Sequence, residues 1–167
     1  MPFYKRPIFA LISATALVSG CGGVGGYAKP GIGVYTEFSD GKSSDDEQGS
    51  IVMPEIAVDA HIVGDPSWLG MMTGFAAWGG GITHRVGPAF FVQDNRVMLV
   101  PYVSTPVGNA PPIPVAVTAS ATVFPGAALG WRGGFGVEYS LGFPNDDDTQ
   151  IWRLGFNIVF GYQGGPL

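Results

Sequence analysis

Residues 130–143 read GWRGGFGVEYSLGF, with Trp131, Phe135, Val137, Tyr139 and Leu141 at odd positions and Arg132, Glu138, Ser140 and glycines at even ones. Successive side chains of a strand point to opposite faces, so a period of two gives this segment one continuous apolar face and one small or polar face. A slip of one residue would exchange the two faces, so the register is strongly specified. The odd face is therefore the dry one. If it faces lipid, Leu129, Trp131, Phe135, Val137, Tyr139 and Leu141 leave water, each contributing roughly 1.5 to 3 kcal/mol. The opposite choice would set Arg132 against hydrocarbon, at about 2 to 4 kcal/mol near a bilayer midplane.

The same pattern extends on both sides of this segment. It covers Ala127 to Leu141 as a whole and recurs twice more. From Ile51 to Val63 the even positions are Val52, Pro54, Ile56, Val58, Ala60 and Ile62, against Glu55, Asp59 and His61 on the odd side. From Gln150 to Tyr162 the even positions are Trp152, Leu154, Phe156, Ile158, Phe160 and Tyr162, against Arg153, Gly155, Asn157 and Gly161. Weaker alternation places strands at Gly31–Phe38, Trp68–Trp78, Pro88–Gln93, Arg96–Val103 and Ile113–Val123, which makes about eight. Pro54 and Pro101 fall inside two of the eight, where a missing N–H is awkward for a central strand. No stretch shows a helical stripe.

The connections alternate between long and tight. SDGKSSDDEQGS, GGGITHRVG, STPVGNAPP and FPNDDDT are long, whereas GDPS, DN and FPG are short. A closed antiparallel up-and-down β-barrel, with long loops at one end and tight turns at the other, produces this order. In outer-membrane barrels the tight turns are periplasmic, which would put both chain ends on the periplasmic side.

Composition agrees with a sheet that is dry or crowded on both faces. Charged residues are 13% of the chain, against ~25% in ordinary globular domains, and 27 of 167 residues are glycine. An eight-stranded barrel has an interior barely wide enough for side chains, so glycines there leave room for a few charges to meet. Arg132, Glu138 and Arg153 are expected to form an interior polar network, with Glu55 and Asp59 as further acids. The net charge of −5 and the lack of a basic cluster after Arg6 exclude a nucleic-acid partner.

The N-terminus carries Lys5 and Arg6, an apolar run from Ile8 to Val18, and VSGC ending at Cys21. This is the three-part pattern of a cleaved secretory signal peptide, and the run is too short for a spanning helix, which needs about 20 residues. Val18-Ser-Gly-Cys21 resembles the lipobox of bacterial lipoproteins. The resemblance implies cleavage before Cys21, acylation of its thiol with diacylglycerol, and an outer-membrane destination, given Gly22 after the cysteine. The expected organisation is a signal peptide over 1–20, a lipidated glycine-rich tether over 21–30 and a barrel domain over 31–167. With a single cysteine, no intramolecular disulfide is possible.

In pattern, Gly31 to Tyr162 resembles the small eight-stranded outer-membrane barrels of the OmpA and OmpX type. Its most specific part is the final strand QIWRLGFNIVFGY, ending on an aromatic residue at Tyr162. In that family such an aromatic is usually the last residue; here QGGPL follows. Trp68, Trp78, Trp131, Trp152, Tyr35, Tyr102, Tyr139 and Tyr162 fall mostly toward segment ends, as interfacial girdles do. The resemblance implies a non-enzymatic protein lodged in outer-membrane lipid, lipid-anchored at Cys21, with loops meeting lipopolysaccharide or envelope proteins. The alternative is a lipid-anchored soluble β-sheet domain that binds a lipid or an envelope protein.

Chemistry-bearing motifs are sparse. His61 lies on the polar face of its strand and His84 is expected in the second long loop; two unconnected histidines do not make a metal site. A membrane lipid hydrolase would pair a serine such as Ser104 or Ser140 with His61 or His84, and no motif ties them together. The acidic runs Asp45, Asp46, Glu47 and Asp146, Asp147, Asp148 lack calcium-loop spacing. WGGGITHRVG matches no phosphate or dinucleotide fingerprint. No cofactor or metal is expected.

Overall fold

A computed structural model describes residues 23–39, 50–63, 68–79, 81–108, 115–126, 128–143 and 149–164. The signal segment, Cys21 and both acidic runs lie outside the described residues. The strands are β1 (Gly23–Ser39), β2 (Ser50–Val63), β3 (Leu69–Trp78), β4 (Gly81–Val92), β5 (Val97–Pro106), β6 (Val115–Val123), β7 (Gly130–Phe143) and β8 (Thr149–Gln163). Each pairs antiparallel with the next, and β8 closes on β1 along a register running from Gly25↔Gln163 to Ser39↔Thr149. The result is an all-β, closed eight-stranded up-and-down barrel. Closure leaves no strand edge unpaired, which an isolated sheet could not achieve.

The alternation in β7 has the expected sense. Trp131 is 81% exposed and Phe135 66%, whereas Arg132, Gly134, Gly136, Glu138 and Ser140 point inward and are buried. In β2, Val52, Ile56 and Val58 likewise face out while Asp59 and His61 face the lumen. Glycines make the narrow bore possible. A side chain at Gly161 would strike the Gly26 carbonyl and Tyr27, and one at Gly74 would lie 2.5 Å from the Val58 carbonyl oxygen.

Two strands start seven or eight residues before their sequence reading, while the other strand ends shift by three residues or fewer. β1 starts at Gly23 rather than Gly31, so most of the stretch expected to be a tether pairs with β2, and Gly25–Ala28 pair with β8 as well. Its inward positions are Gly23, Gly25, Tyr27 and Lys29, and its outward ones include Gly26 and Ala28; so many small residues hide the alternation. β4 starts at Gly81 rather than Pro88, absorbing most of GGGITHRVG. β3 and β4 are consequently joined through Gly79 and Gly80 alone, and the third connection is short, not long. His84 and Arg85 therefore sit on opposite faces of a strand.

The prolines fall where the ladder is interrupted or absent. β2 begins pairing with β3 at Glu55↔Trp78, so Pro54 lies beyond the end of β3. β4 pairs with β5 up to Val86↔Val103 and again from Phe90↔Leu99; between them Pro88 and Pro101, both without an N–H, face one another across the seam. The β4–β5 turn carries Gln93, Asp94 and Asn95 in the left-handed region, φ 51, 55 and 65, closed by Arg96 N–H donating to the Gln93 carbonyl at 3.1 Å. Asp and Asn tolerate that region better than most residues.

Candidate functional site

Among the described residues charge concentrates in the lumen, where it is layered along the barrel axis. Near the loop end, Arg153 of β8 donates from Nε to Glu55 Oε1 of β2 at 2.6 Å, and its Nη2 meets the other carboxylate oxygen. Tyr35 also donates to Glu55, and Arg153 Nη1 donates to Ser140 at 3.2 Å. Arg153 Nη2 then reaches down to Glu138 Oε2 at 3.0 Å.

The middle layer is fully buried. Arg85 of β4 donates to Glu138 Oε2 at 2.7 Å, and the Tyr102 hydroxyl donates to the same oxygen at 2.9 Å. Lys29 of β1 pairs with Asp59 at 2.7 Å and lies 3.9 Å from Glu138 Oε1; Arg85 also lies 3.7 Å from Asp59. Three cations and three carboxylates thus form one neutral set. Balance matters here, because a buried charge without its partner is strongly destabilising.

Arg132 stands apart from that set. Its Nε donates to the Tyr27 hydroxyl at 2.7 Å, its Nη1 donates to the backbone carbonyls of Ala128, at 3.0 Å, and Asn95, and its guanidinium lies 3.7 Å from the Phe124 ring. Tyr27 stacks on His61 at 4.9 Å, and both bond Gln163. Met72, Phe91, Met98, Val100, Phe124 and Val159 fill the lumen around this group. Arg132 and Glu138 share a strand face but are six residues apart, so they belong to different layers. Sequence reasoning placed them in one network.

Lys29 and Arg85, which the sequence reading did not single out, supply two of the three cations in the set. The signal existed for Arg85, at an odd position two after Thr83 and two before Gly87, but His84 beside it blurred the contrast. Lys29 was hidden in the presumed tether. A cavity of about 50 Å³ lies toward the loop end, bounded by Tyr35, Glu55, Trp78, Arg85, Glu138 and Arg153. That is room for a few water molecules. The serines and histidines do not meet: Ser104 bonds the Ala116 carbonyl, Ser140 bonds Thr118, His61 bonds Gln163, and His84 bonds Thr73. Among the described residues no cluster of three or more His, Cys, Asp or Glu side chains could hold a metal.

The outer face is predominantly apolar from rim to rim. Ile32, Ile56, Phe75, Leu99, Phe135, Phe156, Ile158 and Phe160 all face out and are exposed. Aromatic pairs stand at both ends of β7 and β8: Trp131 meets Tyr162 edge-on at 5.8 Å between centroids, and Tyr139 meets Trp152 at 5.4 Å. The pairs are eight residues apart on β7 and ten on β8. With strands tilted about 40°, that is a height of roughly 20 to 25 Å.

No family model matches the sequence, and no curated protein matches it. Among solved structures, the fold is similar to that of Ail, the attachment invasion locus protein of Yersinia pestis, in complex with the heparin analogue sucrose octasulfate. That comparison has a TM-score of 0.55 at 10% identity and covers 84% of this chain and 99% of Ail. Neisserial surface protein A aligns at 11% identity over 81% of this chain and 96% of its own length, with a TM-score of 0.45. Both are small eight-stranded outer-membrane β-barrels.

Proposed function

We propose that this chain is a non-enzymatic barrel of the bacterial outer membrane, anchored in addition by a lipid on Cys21, and that it works through its loops. The observation that carries the reading is the outer face: an apolar belt bounded at both ends by aromatic pairs, whose height is close to the ~25 Å band of outer-membrane barrels. A soluble protein rarely exposes a contiguous apolar patch beyond a few hundred Å². Here the belt is apolar around the circumference except at Thr73, His84 and Thr105, while the other strand charges are turned into the lumen.

The neutral ion set and the aromatic plug support a filled, non-conducting interior. The loops are left to make contact with the surroundings. With a net charge of −5 and acidic runs at Asp45–Glu47 and Asp146–Asp148, their partner is lipopolysaccharide bridged by divalent cations, or an envelope protein. With β1 starting at Gly23, a lipid on Cys21 would be attached only two residues from the barrel wall.

The test is to express residues 21–167 with Cys21→Ala, which removes the lipid. The protein is expected to fold only in detergent or lipid vesicles, and to migrate anomalously in a gel until boiled. A folded monomer in detergent-free buffer sinks the membrane reading. Lipidation is tested separately: mass spectrometry of the full chain expressed in a Gram-negative host is expected to show a diacylglycerol adduct on Cys21, and an unmodified mature N-terminus would overturn it.

A further inference from the structure

The outer belt has one polar interruption. On outward-facing strand positions below the rim residues Thr36, Glu37, Ser50 and Gln150, His84 is the single charged-type side chain among the described residues. Apart from Tyr139 and Tyr162 of the aromatic pairs, its only polar company there is Thr73 and Thr105. These three are adjacent. His84 Nε2 and Thr73 Oγ1 are 3.0 Å apart, and Thr105 is the direct cross-strand partner of His84 on β5. Phe75, the partner on β3, leans on the imidazole at 5.2 Å between centroids. Three polar groups are thus gathered at one point of an otherwise apolar circumference, and an ionisable residue at membrane depth points to a function.

Its height indicates what it meets. Phe90, stacked on Trp68 at the turn-end rim, is six residues from His84 along β4. That separation is about 20 Å of strand and roughly 15 Å of height at a 40° tilt. His84 therefore lies in the loop-end half of the belt, below the Tyr139–Trp152 level, within one side-chain length of where acyl chains join their headgroup. With Nε2 engaged by Thr73, the free imidazole nitrogen and the Thr105 hydroxyl are hydrogen-bonding groups facing lipid.

We propose that His84, Thr73 and Thr105 form a lipid-binding notch that holds the acyl-linkage carbonyl of a loop-side membrane lipid. The proposal rests on the membrane reading above. The ligand is the ester or amide carbonyl, which accepts from the imidazole N–H and the threonine hydroxyl. No bond is made or broken: the Thr73–His84 pair has no third group orienting the imidazole, as a catalytic base would need.

The probe pair is a diacyl phosphatidylethanolamine and its dialkyl-ether analogue, which keeps the phosphate and headgroup but lacks both carbonyls. The full chain, purified in detergent and shown to be folded by heat-modifiable gel mobility, is mixed with each lipid, and retained lipid is read by native mass spectrometry. The wild-type barrel is expected to retain the diester about five-fold better than the diether, the scale of one hydrogen bond in a dry site. His84→Leu, and separately Thr73→Val with Thr105→Val, are expected to retain both lipids equally.

Equal retention of diester and diether by the wild type overturns the notch, as does a His84→Leu variant that still discriminates. A wild-type dimer that His84→Leu dissociates would assign the notch to a second copy of the chain and overturn it too. In each of these cases the barrel is still folded in detergent, so the membrane reading stands. If the chain is soluble without detergent, the membrane reading itself has failed.

Discussion

Arg85 of β4 and Glu138 of β7 meet at 2.7 Å in the middle of the lumen, although two strands separate them around the wall on the shorter side. The contact joins opposite sides of the barrel. Glu138 also accepts from Tyr102 and Arg153, so one carboxylate, 1% exposed, ties together β4, β5, β7 and β8.

Removing that carboxylate should be among the most damaging single changes to stability. Glu138→Leu is expected to cost about 3 to 5 kcal/mol, because Arg85 loses its closest anion in a dry site. Glu138→Leu combined with Arg85→Met leaves Lys29 with Asp59 and Arg153 with Glu55, and should cost less than Glu138→Leu alone. Urea unfolding from lipid vesicles measures all three variants; a double variant less stable than the single would contradict the pairing.

The belt should penalise charge by depth. Ile158→Arg lies midway between the aromatic pairs and is expected to cost about 2 to 4 kcal/mol, whereas Trp131→Arg at the rim should lose only about 0 to 1 kcal/mol to the charge itself. The same vesicle unfolding assay applies. Similar costs at both depths would mean that the outer face is not immersed in hydrocarbon.

Glycines on the two sides of the wall should differ in tolerance. Gly74→Ala drives a methyl toward the Val58 carbonyl and Asp59 and is expected to cost about 1 to 3 kcal/mol. Gly133→Ala faces out, where its nearest neighbours are 3.7 Å away, and should stay within about 0.5 kcal/mol. Thermal melts in detergent would check the contrast.

Arg132 should not be replaceable by lysine. Its fork reaches the Tyr27 hydroxyl and the carbonyls of Ala128 and Asn95 at once, while its plane lies over Phe124. A single ammonium cannot make that set of contacts. Arg132→Lys is expected to lose about 1 to 3 kcal/mol and to speed amide exchange in the turn at Asn95 and Arg96. Unchanged exchange there would mean that the turn closes without the guanidinium.

The sequence alone determined a good deal: the period-two alternation of Ile51–Val63, Ala127–Leu141 and Gln150–Tyr162 states which side of each strand is dry. That information is local, since a strand must turn alternate residues to opposite faces. It already turned Glu55, Asp59, Arg132, Glu138 and Arg153 away from the apolar side. Where small residues occupied both faces, as in Gly23–Pro30, or where His84 interrupted the outer one, the alternation faded and β1 and β4 were read too short.

Only closure decided which charges meet. Arg85 and Lys29 reach Glu138 and Asp59 because the barrel brings strands distant in sequence across a narrow bore, and Arg132 parts from Glu138 because six residues along one strand exceed the reach of a side chain. Partners in a lumen are set by strand order and register around the whole ring, and these exist only once β8 has paired with β1.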